Sequence, residues 1–256
     1  MKNQTLFLFL FLFLLLSVGS TVTAFAQEEE EEQGFQQLIQ EFSFSEAVYL
    51  QERREVQATL SYFRTEFDIQ VGNSLSLDLE YGITDWLQVS AELENNLLRG
   101  TARNYTSHRL EMGTMICIFN SSKQAATFAL DVELPLNKPD IEVGGIEEDD
   151  LSYSPVLLYA RQFGRTQLHL SGGAELQADE ANWFYNAAAV YGSGRWHPLL
   201  EVTGTYLEEA DWYVGTGIAV NRFHGWEVIA GVRRSINRPD WDASVRVLYE
   251  FTLGKE

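Results

Sequence analysis

The chain has 256 residues, of which 45% are hydrophobic and 13% aromatic, and a formal net charge of −19. This acidic balance makes nucleic acid and anionic lipid surfaces unfavourable partners, because their phosphates would repel the protein. The single cysteine, Cys117, excludes an internal disulfide. We interpret it as a small side chain on a strand.

The first 26 residues have the features of a secretory signal. Lys2 precedes an apolar run over 6–16, and small residues then lead to Ala24-Phe25-Ala26, which fits the Ala-x-Ala rule for cleavage. The run is shorter than the ~20 apolar residues that a spanning helix needs. We therefore predict that residues 1–26 are removed, which takes away Lys2 and no acidic residue and leaves a charge of −20.

Residues 27–53 form an acidic segment without the pattern of the rest of the chain. The run of glutamates over 28–32 is interpreted as a solvated tail. The apolar residues from Phe35 to Phe42 are spaced so that one short amphipathic helix is possible. We predict an acidic periplasmic segment before the main domain, placed in the periplasm or at the mouth of a lumen.

From residue 54 onward, apolar and polar residues alternate in short stretches separated by turn residues. The clearest example is 74–81, where Leu75, Leu77 and Leu79 share one face and polar residues share the other. The predicted strands are 54–67, 74–83, 86–96, 108–119, 124–135, 151–163, 166–177, 183–192, 195–207, 211–222, 226–236 and 241–252. Twelve is an even number, as bacterial single-chain barrels require.

The connections between these strands alternate in length. Tight ones follow every second strand, at 84–85, 120–123, 164–165, 192–194 and 223–225. The intervening connections are mostly longer and more polar, which is typical of an outer-membrane barrel. With a periplasmic start, the loops at 97–107 and 136–150 face outward and both termini lie in the periplasm.

The six tryptophans support the same architecture. Each of them lies at or next to the start of a predicted strand, and they are Trp86, Trp183, Trp196, Trp212, Trp226 and Trp241. Tryptophan at strand ends forms the aromatic girdle of a membrane barrel, whereas a soluble β-sandwich more often places it mid-strand. We predict an all-β fold, a transmembrane antiparallel up-and-down β-barrel over 54–256 in the bacterial outer membrane.

The last predicted strand carries a C-terminal pattern. Ala243, Val245, Val247, Tyr249 and Phe251 share one face and increase in size to a terminal aromatic residue. This resembles the signal by which the barrel-assembly machinery recognises its clients. The expected partners are therefore that machinery, outer-membrane lipid and lipopolysaccharide, together with an unidentified small solute.

If the apolar phase of each strand faces lipid, the polar phase lines the lumen. The predicted lumen-lining residues are Asp78, Glu80, Glu92, Glu94, Arg109, Glu111, Asp131, Glu133, His169, Glu175, Glu201, Glu227, Arg233, Arg246 and Glu250. Carboxylates dominate this set. One interpretation is an electronegative pore that favours cations or polar solutes, and the other is a lumen filled by cross-strand ion pairs.

Two patterns were weighed as chemical sites. His169 and Ser171 share a strand face, as in the His-x-Ser pair of lipid A deacylases, but Glu175 lies roughly 13 Å beyond Ser171 along the strand, too far to orient the base. The acidic loop over 140–150 could hold a calcium ion but lacks EF-hand spacing, and His108, His197 and His224 are scattered. We predict no catalytic residues, no metal and no cofactor.

Three segments carry a resemblance to a known family. They are 46–60, the run Tyr81-Gly82-Ile83-Thr84-Asp85 with its continuation to Val89, and 198–202. Together they resemble the outer-membrane β-barrel family of the MetA pathway of phenol degradation, which is described as transporter-like. The resemblance implies a passive channel or transporter for a small solute. The alternative from the residues is a non-conducting structural or surface-binding barrel, and the deacylase-like enzyme comes third.

Overall fold

The computed structural model describes residues 37–67, 70–100, 104–137, 151–177, 180–206, 210–223 and 225–254. The predicted signal over 1–26, the acidic run over 28–32, the loop over 140–150 and His224 lie outside the described residues. In the described part of the chain, no helix has the length and apolar character to cross a membrane.

Twelve antiparallel strands close into a barrel. They are β1 (Glu55–Phe67), β2 (Gln70–Thr84), β3 (Leu87–Arg99), β4 (Asn104–Ser121), β5 (Gln124–Pro135), β6 (Ser152–Phe163), β7 (Thr166–Gln177), β8 (Glu180–Tyr191), β9 (Trp196–Tyr206), β10 (Ala210–Phe223), β11 (Trp226–Ser235) and β12 (Trp241–Thr252). Each strand pairs with its neighbours in sequence, and β1 pairs with β12 to close the ring. The predicted up-and-down barrel of twelve strands is confirmed.

The tight connections lie where the sequence predicted them, but three connections at the other end of the barrel are shorter than predicted. Two residues separate β1 from β2, and two separate β7 from β8. β3 and β4 are joined by 100–103 alone, whereas the loop was predicted over 97–107. The two strands remain paired beyond the alternating pattern, with Asn96 opposite Ser107 and Arg99 opposite Asn104. The prediction was too long because backbone hydrogen bonds continue a ladder without any alternation of side chains.

The outside of the barrel is an apolar surface. Leu75, Leu77, Leu79 and Leu93 are each about half exposed, and large apolar side chains occupy the outward positions of the other strands as well. A continuous exposed surface of this kind is the lipid-facing band of a membrane barrel, because exposing an apolar patch of that extent to water would be unfavourable.

The tryptophans divide between the two ends of the barrel. Trp86, Trp196 and Trp226 follow the tight connections, at what we call the turn end. Trp183, Trp212 and Trp241 lie within the first four residues of β8, β10 and β12 at the opposite end, which we call the loop end. The two sets bracket the apolar band, as an indole with an apolar body and a polar N–H requires.

Residues 37–53 form an irregular chain inside the barrel, which we call the lumen segment. Leu38 contacts Gly192 at the turn end, Ser43 reaches Gly231 in the middle of β11, and Arg54 binds the Gly82 carbonyl back at the turn end, with an N···O distance of 2.8 Å. The segment therefore enters and leaves the lumen by the same end.

The short helix that the sequence permitted is not formed in residues 37–42, and the described part of the segment lies in the lumen. Its backbone N–H groups donate to side chains of the wall instead of to helical carbonyls: Gln40 to Glu227 and Ser43 to Glu201. The apolar spacing reflects packing against the barrel wall, since Phe42 is fully buried there.

Candidate functional site: the lumen segment and the acidic passage

The lumen segment packs against an apolar part of the inner barrel wall. Leu38, Ile39, Phe42 and Ala47 form one buried cluster with the inner face of the wall. The wall residues of this cluster are Ala188, Val190, Leu199, Ala219, Ile229 and Leu248, from β8 to β12. A lumen wall of this composition is a binding surface for another part of the chain, because a water-filled pore would be lined by polar side chains.

A second apolar contact holds the returning half of the segment. Val48 is buried with the inner residues of β5 and β6, including Val156 and Leu158. The Thr127 hydroxyl donates to the Val48 carbonyl at 2.8 Å. Tyr49 adds a hydrogen bond from its hydroxyl to Gln167. The segment is thus fixed on both of its limbs.

Two glutamates of the wall bind the backbone of the segment. The carboxylate of Glu201 accepts hydrogen bonds from the N–H groups of Ser43 and Phe44 and from the Ser45 hydroxyl, at 3.0, 3.1 and 3.1 Å. Glu227 accepts from the Gln40 N–H at 3.1 Å. These glutamates are only 1% and 4% exposed. They hold the segment and do not line open space.

An ion pair links the segment to β12. Glu41 pairs with Arg246, and the Gln57 amide donates to the other Glu41 oxygen at 3.1 Å. Near the end of the segment, the Gln51 N–H donates to Gln88 at 2.7 Å. Charge-assisted bonds of this kind are about twice as strong as neutral ones, so Glu41 contributes strongly to the position of the segment.

Two glycines make room for Ser43. Gly217 and Gly231 are paired across β10 and β11. A Cβ atom at Gly231 would lie 2.4 Å from Ser43 Oγ, and one at Gly217 would lie 2.6 Å from the same atom. Any larger residue at these positions would displace the segment, so the two glycines define its seat.

The opposite wall remains partly exposed to the lumen. In contrast to the mostly buried inner residues of β7 to β12, the inward carboxylates of β2 to β5 are intermediate in exposure, and among them Glu80 accepts a hydrogen bond from Gln51 of the segment at 2.9 Å. They are Asp78, Glu80, Glu92, Glu94, Glu111, Asp131 and Glu133, and we call the space beside them the acidic passage. Glu46 of the segment is exposed and interacts electrostatically with Asp131 and Glu80.

Each of the three predicted lumen arginines is paired with an acidic side chain. Arg109 pairs with Glu133 at 3.3 Å on the passage wall. Arg233 lies on the far side, where it binds Asp242 and packs between the rings of Phe44 and Tyr213, 4.6 and 4.8 Å from their centroids. With Arg246 bound to Glu41, acidic side chains outnumber arginines by seven to one in the passage.

One cluster of three carboxylates has the spacing of a cation site. Oxygen atoms of Glu41, Asp78 and Glu80 lie within 4.8 Å of one another. Carboxylate oxygens are ligands that calcium accepts, and the sequence spacing did not indicate this cluster. Glu41 is already paired with Arg246. The cluster therefore lies where the ion pair of the lumen segment meets the acidic passage.

The remaining predicted lumen residues lie on the inner face of the wall. His169 packs edge-on against Phe42 at 4.7 Å between ring centroids, and Ser171 accepts a hydrogen bond from the Asn186 amide at 3.0 Å. They are 5% and 6% exposed, which excludes access of a lipid substrate in this state. Glu250 binds the Gln40 amide, and Glu175 lies further along β7, opposite Asn182.

The sequence contains a pattern that indicates a filled lumen, and an interpretation based on strand alternation alone misses it. Leu199, Ile229 and Leu248 occupy inward positions, directly beside outward apolar residues such as Leu200 and Val228. Adjacent apolar pairs of this kind interrupt the period of two. They indicate that part of the lumen is dry and filled by other residues.

The chain is similar in structure to known outer-membrane barrels. No family model matches it, and no curated protein matches it in sequence. The COG4313 outer-membrane channel from Pseudomonas putida F1 superposes with a TM-score of 0.67 at 10% identity, covering 80% of this chain and 98% of that one.

Two porins show the same likeness. The KdgM porin in complex with disordered oligogalacturonate gives a TM-score of 0.58 at 12% identity, over 75% of this chain and 99% of that one. The NanC porin gives 0.54 at 8% identity, over 77% and 100%. The class of protein is therefore a twelve-stranded β-barrel of the outer-membrane type. Identities this low establish the fold alone.

Proposed function

We propose that the chain is an outer-membrane channel for a small solute, closed over most of its lumen by its own lumen segment. The observation that carries the proposal is the asymmetry of the lumen. One wall is sealed by Phe42 and its neighbours, whereas the carboxylates of β2 to β5 remain partly exposed. A barrel that served only as a scaffold would have no need of such a charged, partly open wall.

The charge of the passage defines the solute class. Seven carboxylates face one arginine there, so the local potential is negative and raises the concentration of cations. We propose cationic or polar solutes as the ones admitted. The motifs that resemble the MetA-pathway family support the same class of transporter-like barrel. Because that family is described by phenol degradation, phenol is a neutral solute to test.

The orientation follows from the connections. Tight turns face the periplasm in barrels of this type, so the turn end and both termini are periplasmic in this proposal. Outer-membrane lipid and lipopolysaccharide then surround the barrel, and the C-terminal aromatic pattern supports assembly by the barrel-assembly machinery. No covalent chemistry is part of the proposal.

Liposome swelling with solutes of similar size and different charge tests the channel. Lysine, glutamine and glutamate should enter in that order of rate, because the passage attracts positive charge and repels negative charge. Outer-membrane fractionation and heat-modifiable mobility on a gel serve as the controls for location and folding. Equal rates for lysine and glutamate in folded protein would contradict the proposed selectivity.

The second candidate is a non-conducting barrel that acts through its outer loops. The full burial of Phe42 and Ile39 favours it, because a segment packed this closely blocks most of the cross-section. Planar-bilayer recordings separate the two candidates. Lack of conductance in folded wild type and in a variant with a weakened segment would establish the non-conducting barrel.

A further inference from the structure

Three arginines project from the outward face at the loop end. Arg64 ends the apolar stretch of β1, Arg99 ends β3, and Arg234 lies near the end of β11. They continue the faces that carry the exposed side chains of Tyr62 and Val232. Glu66 pairs with Arg64 and is the acidic residue beside them. In a chain of net charge −19, this band has the opposite sign.

Two of these arginines flank a groove on the outer surface. The groove has a volume of about 520 Å³ and is lined by Tyr62, Arg64, Val71, Asn73, Leu97 and Arg99. The Tyr62 hydroxyl donates to the Asn73 amide oxygen at 2.7 Å, which fixes the Asn73 side chain. Two guanidinium groups and an amide therefore border a space that is otherwise apolar.

A second groove lies on the other side of β12. It has a volume of about 410 Å³, and Leu200, Val214 and Val232 form its exposed apolar wall. Arg234 and Trp241 stand at its loop end. This arrangement has a cation above a channel of hydrocarbon side chains, which matches an amphiphile with an anionic head.

We propose that these two grooves bind one phosphorylated glycolipid of the lipid A type in the outer leaflet. The inference rests on the orientation given under the proposed function, with the loop end outward. Guanidinium groups bind phosphate through two parallel hydrogen bonds, and at Arg64 the phosphate takes the place of Glu66, which now accepts from Arg64 Nε and Nη2. The acyl chains pack against the apolar walls by van der Waals contact. Arg64 and Arg234 lie on strands either side of β12, opposite Ala243 and Trp241. Two strand spacings and a two-residue offset place them roughly 12 Å apart, so a headgroup with two phosphates reaches both.

Native mass spectrometry of the detergent-solubilised full protein tests the site. The probes are bisphosphoryl lipid A, its monophosphoryl form, phosphatidylglycerol and inorganic phosphate. The variant is Arg64→Gln with Arg99→Gln and Arg234→Gln, and the matched control is Arg161→Gln, an arginine near the turn end of β6. Binding of bisphosphoryl lipid A should fall about tenfold or more in the triple variant and stay unchanged in the control. For the monophosphoryl form, the loss of binding in the triple variant should be smaller.

Retention of lipid A by the triple variant, or equal loss in the Arg161 control, would overturn the proposal. Full displacement by inorganic phosphate would overturn the lipid as occupant and assign the site to a free anion. If the triple variant fails to fold, Arg234→Gln alone should still lower binding. Conductance in bilayers without lipid A should be the same for wild type and variant, so failure of the channel proposal is distinguishable from failure of this one.

Discussion

Glu201 on β9 and Ser43 in the lumen segment are joined by a hydrogen bond of 3.0 Å between residues 158 positions apart in the chain. The same carboxylate also binds Phe44 and Ser45. A single wall residue thus fixes three consecutive residues of the segment, and its removal should act on the segment before it acts on the barrel.

Replacing Glu201 should open the channel. Glu201→Ala removes acceptors whose charged hydrogen bonds are each worth roughly 1.5–3 kcal/mol, so the open population should rise at least tenfold. Single-channel recordings in planar bilayers measure this change. Glu201→Gln keeps one acceptor oxygen and should give an intermediate result, while unchanged opening in Glu201→Ala would show that the segment does not control conduction.

Selectivity should depend on a different pair of carboxylates. Glu111→Gln with Asp131→Asn should lower the preference for cations, because both side chains border the acidic passage and neither binds the segment in the described contacts. Reversal potentials in a salt gradient provide the measurement. The opening frequency should change much less than in Glu201→Ala, because these two carboxylates act on the segment only through their electrostatic interaction with Glu46. A preference for anions in wild type would contradict the assignment of the passage.

Enlarging Gly231 should expel the segment. In Gly231→Val the new Cβ would lie 2.4 Å from Ser43 Oγ, and the segment is the part most able to move. Cleavage by a glutamate-specific protease at Glu41 and Glu46 should then increase, since both bonds leave the protected lumen. Gly72→Ala is the matched control, because its Cβ meets nothing closer than 3.7 Å, and it should leave cleavage at the wild-type rate.

A charge on the lipid face should destabilise the barrel. Val228 projects outward from β11, two residues from Trp226 at the turn end, so Val228→Arg should lower the free energy of unfolding by about 1–2 kcal/mol, less than a charge at the membrane midplane would. Urea titration of the protein in lipid vesicles measures the loss, with Val228→Leu as the neutral control. A loss no larger than that of the leucine variant would mean that this face does not contact lipid.

The barrel could be predicted from the sequence because its pattern is local. The alternation around Leu77, the tight turns and the positions of Trp86 and Trp226 each report on neighbouring residues alone. The lumen segment could not be predicted in the same way, since its conformation is set by Glu201 and Glu227 far along the chain. Strand phase gave the facing of these glutamates correctly but carried no information about what they bind.

The entry and exit of the lumen segment at one end impose a direction on any opening. Because β1 begins at the turn end and Leu38 lies beside Gly192 at that same end, the segment can be drawn out as a loop without threading through the barrel. Pulling from the turn-end compartment releases it, whereas a solute arriving from the loop end can only press on it. In the proposed channel, release of the segment would therefore be driven from the turn-end compartment alone.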